Sequence, residues 1–139
     1  MATNNKHYSG KHYPSELDKL VMEELDSFYG ACIEDIQEAS NDAAKWAVKE
    51  LKATSPKSKG RRLSGEYAAS WKVKREKLRT GGHTIVYNDG YYMLSHLLEY
   101  GHAKVNGGRT TGRVFIKPVE EKANKMFEDT LKRRIESGT

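Results

Sequence analysis

The sequence predicts an α+β fold, in which helices cover a small antiparallel sheet. Apolar residues recur every three or four positions over residues 17–47 and again over 119–135, and this spacing is typical of helices. Between these stretches, residues 67–73 and 83–88 show the short patterns of strands, bounded by glycine turns. The predicted architecture is therefore a long N-terminal helix, a sheet of about three to four antiparallel strands, a short middle helix and a C-terminal helix.

Length and composition indicate one domain with a modest core. The chain has 139 residues, of which 37% are hydrophobic and 31% charged, so little apolar surface is available for burial. Residues 1–14 are polar, contain glycine and proline, and are predicted to form a flexible arm, whereas residues 15–139 are predicted to form a single domain. A core this small indicates that neighbouring subunits supply part of the burial.

Ser15 and Asp18 mark the start of the first helix as an N-cap pair. From Leu17 to Ala47 the apolar residues follow steps of four, four and three, which place them on one face of a helix. An unbroken helix here would be roughly 57 Å long at about 1.5 Å per residue. A globule of this size has a diameter of roughly 30 Å. We therefore expect either a break near Gly30 or a contact between part of this helix and another subunit.

The middle of the chain is predicted to form the sheet. Residues 54–65 contain a proline, two glycines and several cations, which predicts an exposed loop. Residues 67–73 alternate apolar and polar side chains, which predicts a strand with Trp71 in the core. Residues 83–88 predict a second short strand, closed by the turn sequence Asn-Asp-Gly.

The next segment changes from apolar to glycine-rich. Residues 91–100 have the spacing of a short helix, which Gly101 is predicted to end. Residues 102–112 are then predicted to form a loop, and residues 113–116 a short strand. This segment therefore contributes the middle helix and a further strand of the predicted sheet.

The C-terminal helix is predicted over residues 117–135. Pro118 lies in its first turn, where the missing N–H group is harmless. Its apolar face includes Phe127, which we expect in the core beside the sheet. Acidic residues occur early and basic residues late along this helix, which complements the helix dipole.

Charge is strongly segregated along the chain, although the formal net charge is only +5. Residues 15–50 hold ten acidic residues and three lysines, whereas residues 52–79 hold ten basic residues and two glutamates. This segregation indicates a charged partner, either nucleic acid or a second copy of the chain. The candidate residues for contact with DNA or with another subunit are Lys57, Lys59, Arg61, Arg62, Lys72, Lys74 and Lys77.

Two interpretations of the basic block stay open. In one, the cations bind phosphates while Tyr67 and Trp71 offer surfaces on which bases stack. In the other, these two aromatic residues belong to the core, and the lysines only solvate the outer face of the strand.

The sequence contains no strong catalytic or metal-binding pattern. His96, Glu99 and His102 do not have the spacing of a metal-ligand motif. Asp89, Glu99 and Lys104 could be combined as a nuclease cluster, but scattered charges are common in a chain that is 31% charged. We therefore expect no enzymatic activity, no metal and no cofactor.

The sequence also lacks membrane and secretion signals. No apolar run approaches the roughly 20 residues that a membrane span needs. The first residues contain no apolar core of a signal peptide. We therefore expect no membrane partner and a location in a reducing cytoplasm, or in a particle assembled there.

Several short motifs occur in a definite order. A proline loop with a glycine ("SPKSKG") is followed by "LSGEYAASW", then by "YYMLSHLLEYG", a glycine-rich loop and "RVFIKP" before the last helix. Over residues 17–135 this order resembles the small head-tail joining proteins of tailed bacteriophages, which are called neck, tail-completion or minor tail components. The residues that match the family motifs are Pro56, Gly60, Leu63, Ser70, Trp71, Tyr92, Leu98, Glu99, Tyr100, Gly101, Phe115 and Pro118.

The resemblance implies a structural protein of the virion, located at the head-tail interface after assembly in the host cytoplasm. The partners that it implies are other copies of the chain in a ring and the neighbouring head-connector and tail proteins. DNA in the channel is a further candidate partner. The alternative is a small basic nucleic-acid-binding protein.

Overall fold

The computed structural model describes residues 15–57, 65–78 and 81–137. Its elements are α1 (Glu16–Thr54), α2 (Glu66–Ala69), β1 (Trp71–Leu78), β2 (Gly81–Asn88), α3 (Tyr92–Tyr100) and α4 (Ile116–Glu136). The α+β class is therefore confirmed. The chain divides into two compact units, residues 1–32 and residues 33–139. The predicted N-terminal arm lies outside the described residues.

The described part of the first unit is the N-terminal portion of α1. The Ser15 N–H group donates to Asp18 Oδ2 over 2.9 Å, and the Asp18 N–H group donates to Ser15 Oγ over 3.2 Å. This reciprocal pair is a capping box, which confirms the predicted start of the helix. The hydrogen bonds from Ser15 lower the pKa of the Asp18 carboxyl group. The helix continues through Gly30, so the break that we considered there does not occur.

The core of the second unit joins the C-terminal portion of α1 to α2, β1 and the start of α4. Its buried members are Ala47, Leu51, Tyr67, Trp71, Phe115 and Val119. The Tyr67 ring meets Trp71 and Phe115 edge-on, with centroid distances of 5.9 and 6.2 Å. Edge-to-face pairs contribute about 0.5–1.5 kcal/mol beyond the burial of their area. The prediction of a core tryptophan is confirmed, whereas Phe127 is only half-buried and lies outside this cluster.

Strands β1 and β2 form a two-stranded antiparallel hairpin. The register runs from Trp71 opposite Asn88 to Leu78 opposite Gly81. Trp71 and Asn88 are buried at the base, while the rest of β1 is exposed, so the hairpin projects from the core. The sheet in the described residues has two strands, fewer than the three to four that we predicted.

The missing strand is the one predicted at residues 113–116. Ile116 already belongs to α4, and the Arg113 N–H group donates to the carbonyl oxygen of Leu98, at the end of α3. Because this segment bonds to a helix end rather than to the hairpin, it does not extend the sheet. The preceding loop has one isolated antiparallel bridge between Ala103 and Arg109.

The first predicted strand begins later than expected, at Trp71, because residues 66–69 form the helical turn α2. Tyr67 and Trp71 are four residues apart. That separation places two side chains on the same side both in a helix and in a strand. The pattern therefore identified the two core aromatics correctly and assigned the wrong local structure to the first of them.

The two C-terminal helices agree with the prediction. Helix α3 ends at Gly101, and α4 begins at Ile116, with Pro118 in its first turn. Arg133 and Arg134 lie in the last turn of α4, where positive charge complements the helix dipole. None of the helices in the described segments is both long and apolar enough to cross a membrane.

Candidate functional site

The motif "LLEYG" forms a joint between α3 and α4. Glu99 is buried, with 5% of its surface exposed, and its Oε1 accepts a hydrogen bond from the Lys117 N–H group over 3.0 Å. Lys117 lies in the first turn of α4, whose N–H groups have no partner within the helix. Leu98, one residue before Glu99, packs half-buried against the core. Glu99 therefore caps α4 from a neighbouring helix.

Gly101 allows the chain to turn back closely at the end of this joint. Its φ angle is +75°, and a Cβ atom there would lie 2.1 Å from the carbonyl oxygen of Thr110. The His102 N–H group donates to Thr110 Oγ1, and the Thr110 N–H group donates back to the carbonyl oxygen of His102. Backbone conformation and close packing both require glycine at this position.

The proline loop and the tryptophan of the motif also meet in the core. The Trp71 Nε1–H group donates to Ser55 Oγ over 2.9 Å, one residue before the half-buried Pro56. Phe115 is buried directly before α4, and Pro118 is exposed in the first turn of that helix. These matched positions therefore support the structure around the end of α1. Gly60 and Leu63 lie outside the described residues.

The tyrosines of the motif face outward. Tyr92 and Tyr100 are 69% and 59% exposed on α3, and Met93 beside them is also exposed. The His96 ring lies against Tyr100 with a centroid distance of 5.0 Å. This surface of α3 is thus aromatic, accessible and separate from the inward-facing Leu98 and Glu99.

The candidate cations are only partly available for contact. Lys72 pairs with Asp89, and this interaction raises the pKa of the lysine. Lys74 pairs with Glu76 over 2.7 Å. Lys57 is exposed at the end of the first described segment. The cations of the loop beyond it, Lys59, Arg61 and Arg62, lie outside the described residues, and Lys77 is exposed on the hairpin.

Two carboxylates of the acidic stretch 15–50, those of Asp35 and Glu38, pair with Arg134 of α4. Arg134 Nη1 lies 3.3 Å from Asp35 Oδ1 and 2.6 Å from Glu38 Oε2. The hydrogen bonds to Glu38 and Asp35 raise the pKa of the arginine. These two carboxylates therefore pair with the last helix of the same chain rather than with the basic block.

The first unit exposes an apolar surface of unusual density. We call residues 16–29 the acidic-apolar segment. It carries five acidic residues and one lysine. Its large apolar side chains are between 49% and 69% exposed, and they are Leu17, Leu20, Val21, Met22, Leu25, Phe28 and Tyr29. Contiguous exposed apolar surface of this kind is typical of sites that contact proteins, membranes or ligands.

The scattered carboxylates considered as a nuclease cluster have structural partners. Asp89 pairs with Lys72, and Glu99 accepts the Lys117 N–H group. In the described segments no three histidine, cysteine, aspartate or glutamate side chains are grouped as metal ligands. The expectation that the protein is not an enzyme stays a prediction.

The comparison with protein families identifies the chain. The family model described as "Bacteriophage HK97-gp10, putative tail-component" matches residues 20–101, which is more than half of the chain. The protein belongs to the HK97 gp10-like family. No curated protein and no solved structure matches the chain. The family resemblance seen in the sequence is thereby confirmed, and the HK97 gp10-like match ends at Gly101, before Phe115 and Pro118.

Three contacts of this HK97 gp10-like protein were missed in the sequence. Asn88 ends the predicted second strand and begins the predicted turn, and the sequence does not show that it is buried or that its Nδ2–H group donates to the carbonyl oxygen of Tyr67 over 2.9 Å. The Tyr67 hydroxyl group donates to Ser95 Oγ over 2.8 Å. The bond from Arg134 to Asp35 joins residues 99 positions apart. Local spacing holds no signal for such contacts.

Proposed function

We propose that this protein is a structural component of the phage particle at the head-tail junction. In this proposal it assembles as a ring of identical copies that joins the capsid connector to the tail. Membership of a tail-component family supports a structural role in the virion. The location at the junction and the ring are our extension of that role.

The observation that carries the proposal is the exposed acidic-apolar segment of α1. A protein with a small core that leaves seven large apolar side chains of one helix accessible gains stability when a partner covers them. Identical copies that dock through two different surfaces form a ring when the rotation closes. The neighbouring head-connector and tail proteins would then contact the two sides of this ring.

The structure also reduces the support for nucleic-acid binding as the main function. Lys72 and Lys74 already pair with acidic side chains of the same hairpin. Tyr67 and Trp71, the candidates for base stacking, are buried in the core. DNA in the channel stays a candidate partner of the basic loop, and this contact is secondary to assembly.

Deletion of the gene from a phage that carries it tests the proposal. We expect DNA-filled heads and complete tails to accumulate separately, and plaque formation to return when the wild-type chain is supplied in trans. Electron microscopy distinguishes the outcomes. Filled heads that carry malformed tails would place the protein in the tail and overturn the junction assignment. Normal infectious particles without the protein would overturn the structural role altogether.

A further inference from the structure

The hairpin, α1 and α4 enclose a groove in the second unit, which we call the hairpin groove. Its volume is about 290 Å³. Its lining includes the apolar residues Ile33, Ile36 and Phe127 and the cationic residues Arg75 and Lys77. Glu76 also lines the groove, and its carboxylate pairs with Lys74. The volume of the groove is at the lower limit of small-molecule pockets, which begin at about 300 Å³. The groove therefore has room for roughly one or two large side chains. Phe127, expected in the core, is thus a lining residue of an open groove.

Arg75 and Lys77 lie on a different face of the hairpin from the candidate cations Lys72 and Lys74. Successive residues of a strand point to opposite faces, so these two share one face and Lys72 and Lys74 share the other. On the second face the lysines pair with Asp89 and Glu76. Among the described residues neither Arg75 nor Lys77 has an acidic partner. The hairpin groove therefore offers positive charge without an ion-pair partner beside apolar surface.

The acidic-apolar segment has the complementary pattern. Residues four apart are neighbours on a helix surface, so Glu24 lies between the exposed side chains of Leu20 and Phe28. The segment as a whole has a net charge of −4. It therefore presents a carboxylate flanked by apolar anchors, whereas the groove presents a cation flanked by apolar side chains.

We propose that the hairpin groove of one copy receives the acidic-apolar segment of a second copy. Phe28 and Leu20 insert as apolar anchors, and Glu24 pairs with Arg75. The occupant is a second copy because the charge and apolar pattern of the acidic-apolar segment match those of the hairpin groove. Each copy supplies one segment and one groove. The contact joins two different surfaces, so repetition produces a ring or a filament. The choice of a closed ring rests on the proposed function.

This assignment differs from a docking of the whole acidic stretch on the whole basic block. Asp35 and Glu38 are held by Arg134, and Lys72 and Lys74 are held within the hairpin. Among the described residues Glu24, Arg75 and Lys77 have no such partner, and they supply the charges of the proposed contact. Exposed ion pairs alone contribute only about 0–1 kcal/mol. The apolar anchors therefore hold the contact, and the charges select its orientation.

A charge exchange tests the contact by sedimentation velocity. We expect Glu24→Lys or Arg75→Glu alone to weaken self-association by about tenfold, and the two changes together to return it to within about threefold of wild type. Lys74→Glu is the matched control, since it makes the same change in charge on the opposite face of the hairpin, and it should leave association unchanged. Equal losses from Lys74→Glu and Arg75→Glu, or no rescue in the double variant, would overturn the assignment.

Cross-linking identifies the surfaces without relying on a measured affinity. Cys32 is the single cysteine of the chain and is first replaced by serine. One chain then carries Val21→Cys, which leaves both anchors in place, and another carries Gln37→Cys in the groove. After mixing, we expect a short bis-maleimide to join the two different chains. Cross-links confined to pairs of Val21→Cys chains would show that the helices pack on each other, and this outcome overturns the groove. An absence of cross-links at high concentration and in joined particles would overturn it as well.

The two proposals can fail separately. If Arg75→Glu and Glu24→Lys phages make normal numbers of joined particles and cross-links are absent, the groove contact is wrong while the junction function stands. If the cross-link forms but gene deletion leaves heads and tails joined, the contact is real and the proposed function is wrong.

Discussion

Glu99 and Lys117 join the end of α3 to the start of α4 through a hydrogen bond of 3.0 Å. The acceptor is a buried carboxylate oxygen, and the donor is a backbone N–H group of the first helical turn. The N-terminus of α4 is capped by a side chain of another helix, so the position at which α4 begins depends on tertiary structure. The motif "EYG" is therefore a connection between two helices, followed by a turn.

Replacement of Glu99 tests this connection. We expect Glu99→Ala to lower the free energy of unfolding by about 1–3 kcal/mol, because the Lys117 N–H group loses its acceptor. Glu99→Gln keeps an acceptor oxygen and should lose less. Urea denaturation measures both changes. Glu128→Gln, on the exposed surface of α4, is the control and should stay within about 0.5 kcal/mol of wild type. Equal losses for Ala and Gln would contradict a capping role.

Gly101 and Gly107 provide a matched pair of glycine substitutions. Both have a positive φ angle, but a Cβ atom at Gly107 meets open space, whereas at Gly101 it lies 2.1 Å from the carbonyl oxygen of Thr110. We expect Gly107→Ala to cost about 1–2 kcal/mol from backbone strain alone. Gly101→Ala adds the clash and should cost about 2–5 kcal/mol. Thermal unfolding compares them, and a smaller loss at Gly101 would contradict the close approach.

Trp71 and Phe127 should differ in their contribution to stability. Trp71 is buried and bonded to Ser55, so Trp71→Ala should cost about 3–5 kcal/mol. Phe127 is half-buried in the lining of the hairpin groove, so Phe127→Ala should cost about 1–2 kcal/mol in the isolated chain. Chemical denaturation of the monomer measures both. A loss at Phe127 as large as at Trp71 would place Phe127 in the core.

A comparison of substitutions at Arg134 and Arg133 distinguishes the effect of an ion-pair network from that of removing a positive charge. Arg134 contacts Asp35 and Glu38, whereas Arg133 reaches Thr130 over 3.5 Å. We expect Arg134→Gln to lower the free energy of unfolding at low ionic strength, because the arginine joins two carboxylates. Arg133→Gln should cost less. High salt should reduce the difference, because screening weakens exposed pairs. A difference that does not depend on salt would indicate packing instead of charge.

Tyr67 should ionise at higher pH than an exposed tyrosine. Burial disfavours the phenolate, which raises the pKa of Tyr67 above its ordinary value of 10.0. The unfolded chain ionises first, so the contribution of the neutral ring to stability is complete below pH 10.0 and is lost as pH rises toward the folded-state pKa. Comparison of wild type with Tyr67→Phe by alkaline ultraviolet titration and denaturation measures this. A stability difference that stays constant across the alkaline range would contradict it.

Local patterns in the sequence determined helices α1, α3 and α4, the main core aromatic and the family. The steps of four, four and three along α1 fixed its helical character, because helix periodicity depends only on residues close in the chain. The Ser15–Asp18 cap and the end of α3 at Gly101 are local in the same sense. The ordered motifs up to Gly101 were sufficient for the family, which the matched residues 20–101 confirm.

Contacts between distant residues were decided only by the tertiary structure. Whether residues 113–116 become a strand depends on a free partner strand, and here Arg113 bonds to Leu98 instead. Whether Asp35 and Glu38 face a second subunit depends on Arg134, about a hundred positions away. The tertiary structure likewise decides that Phe28 is exposed and that Phe127 and Arg75 line one groove. Apolar spacing shows which face of a helix is apolar. Only the tertiary structure shows which part of that face is buried by the rest of the same chain.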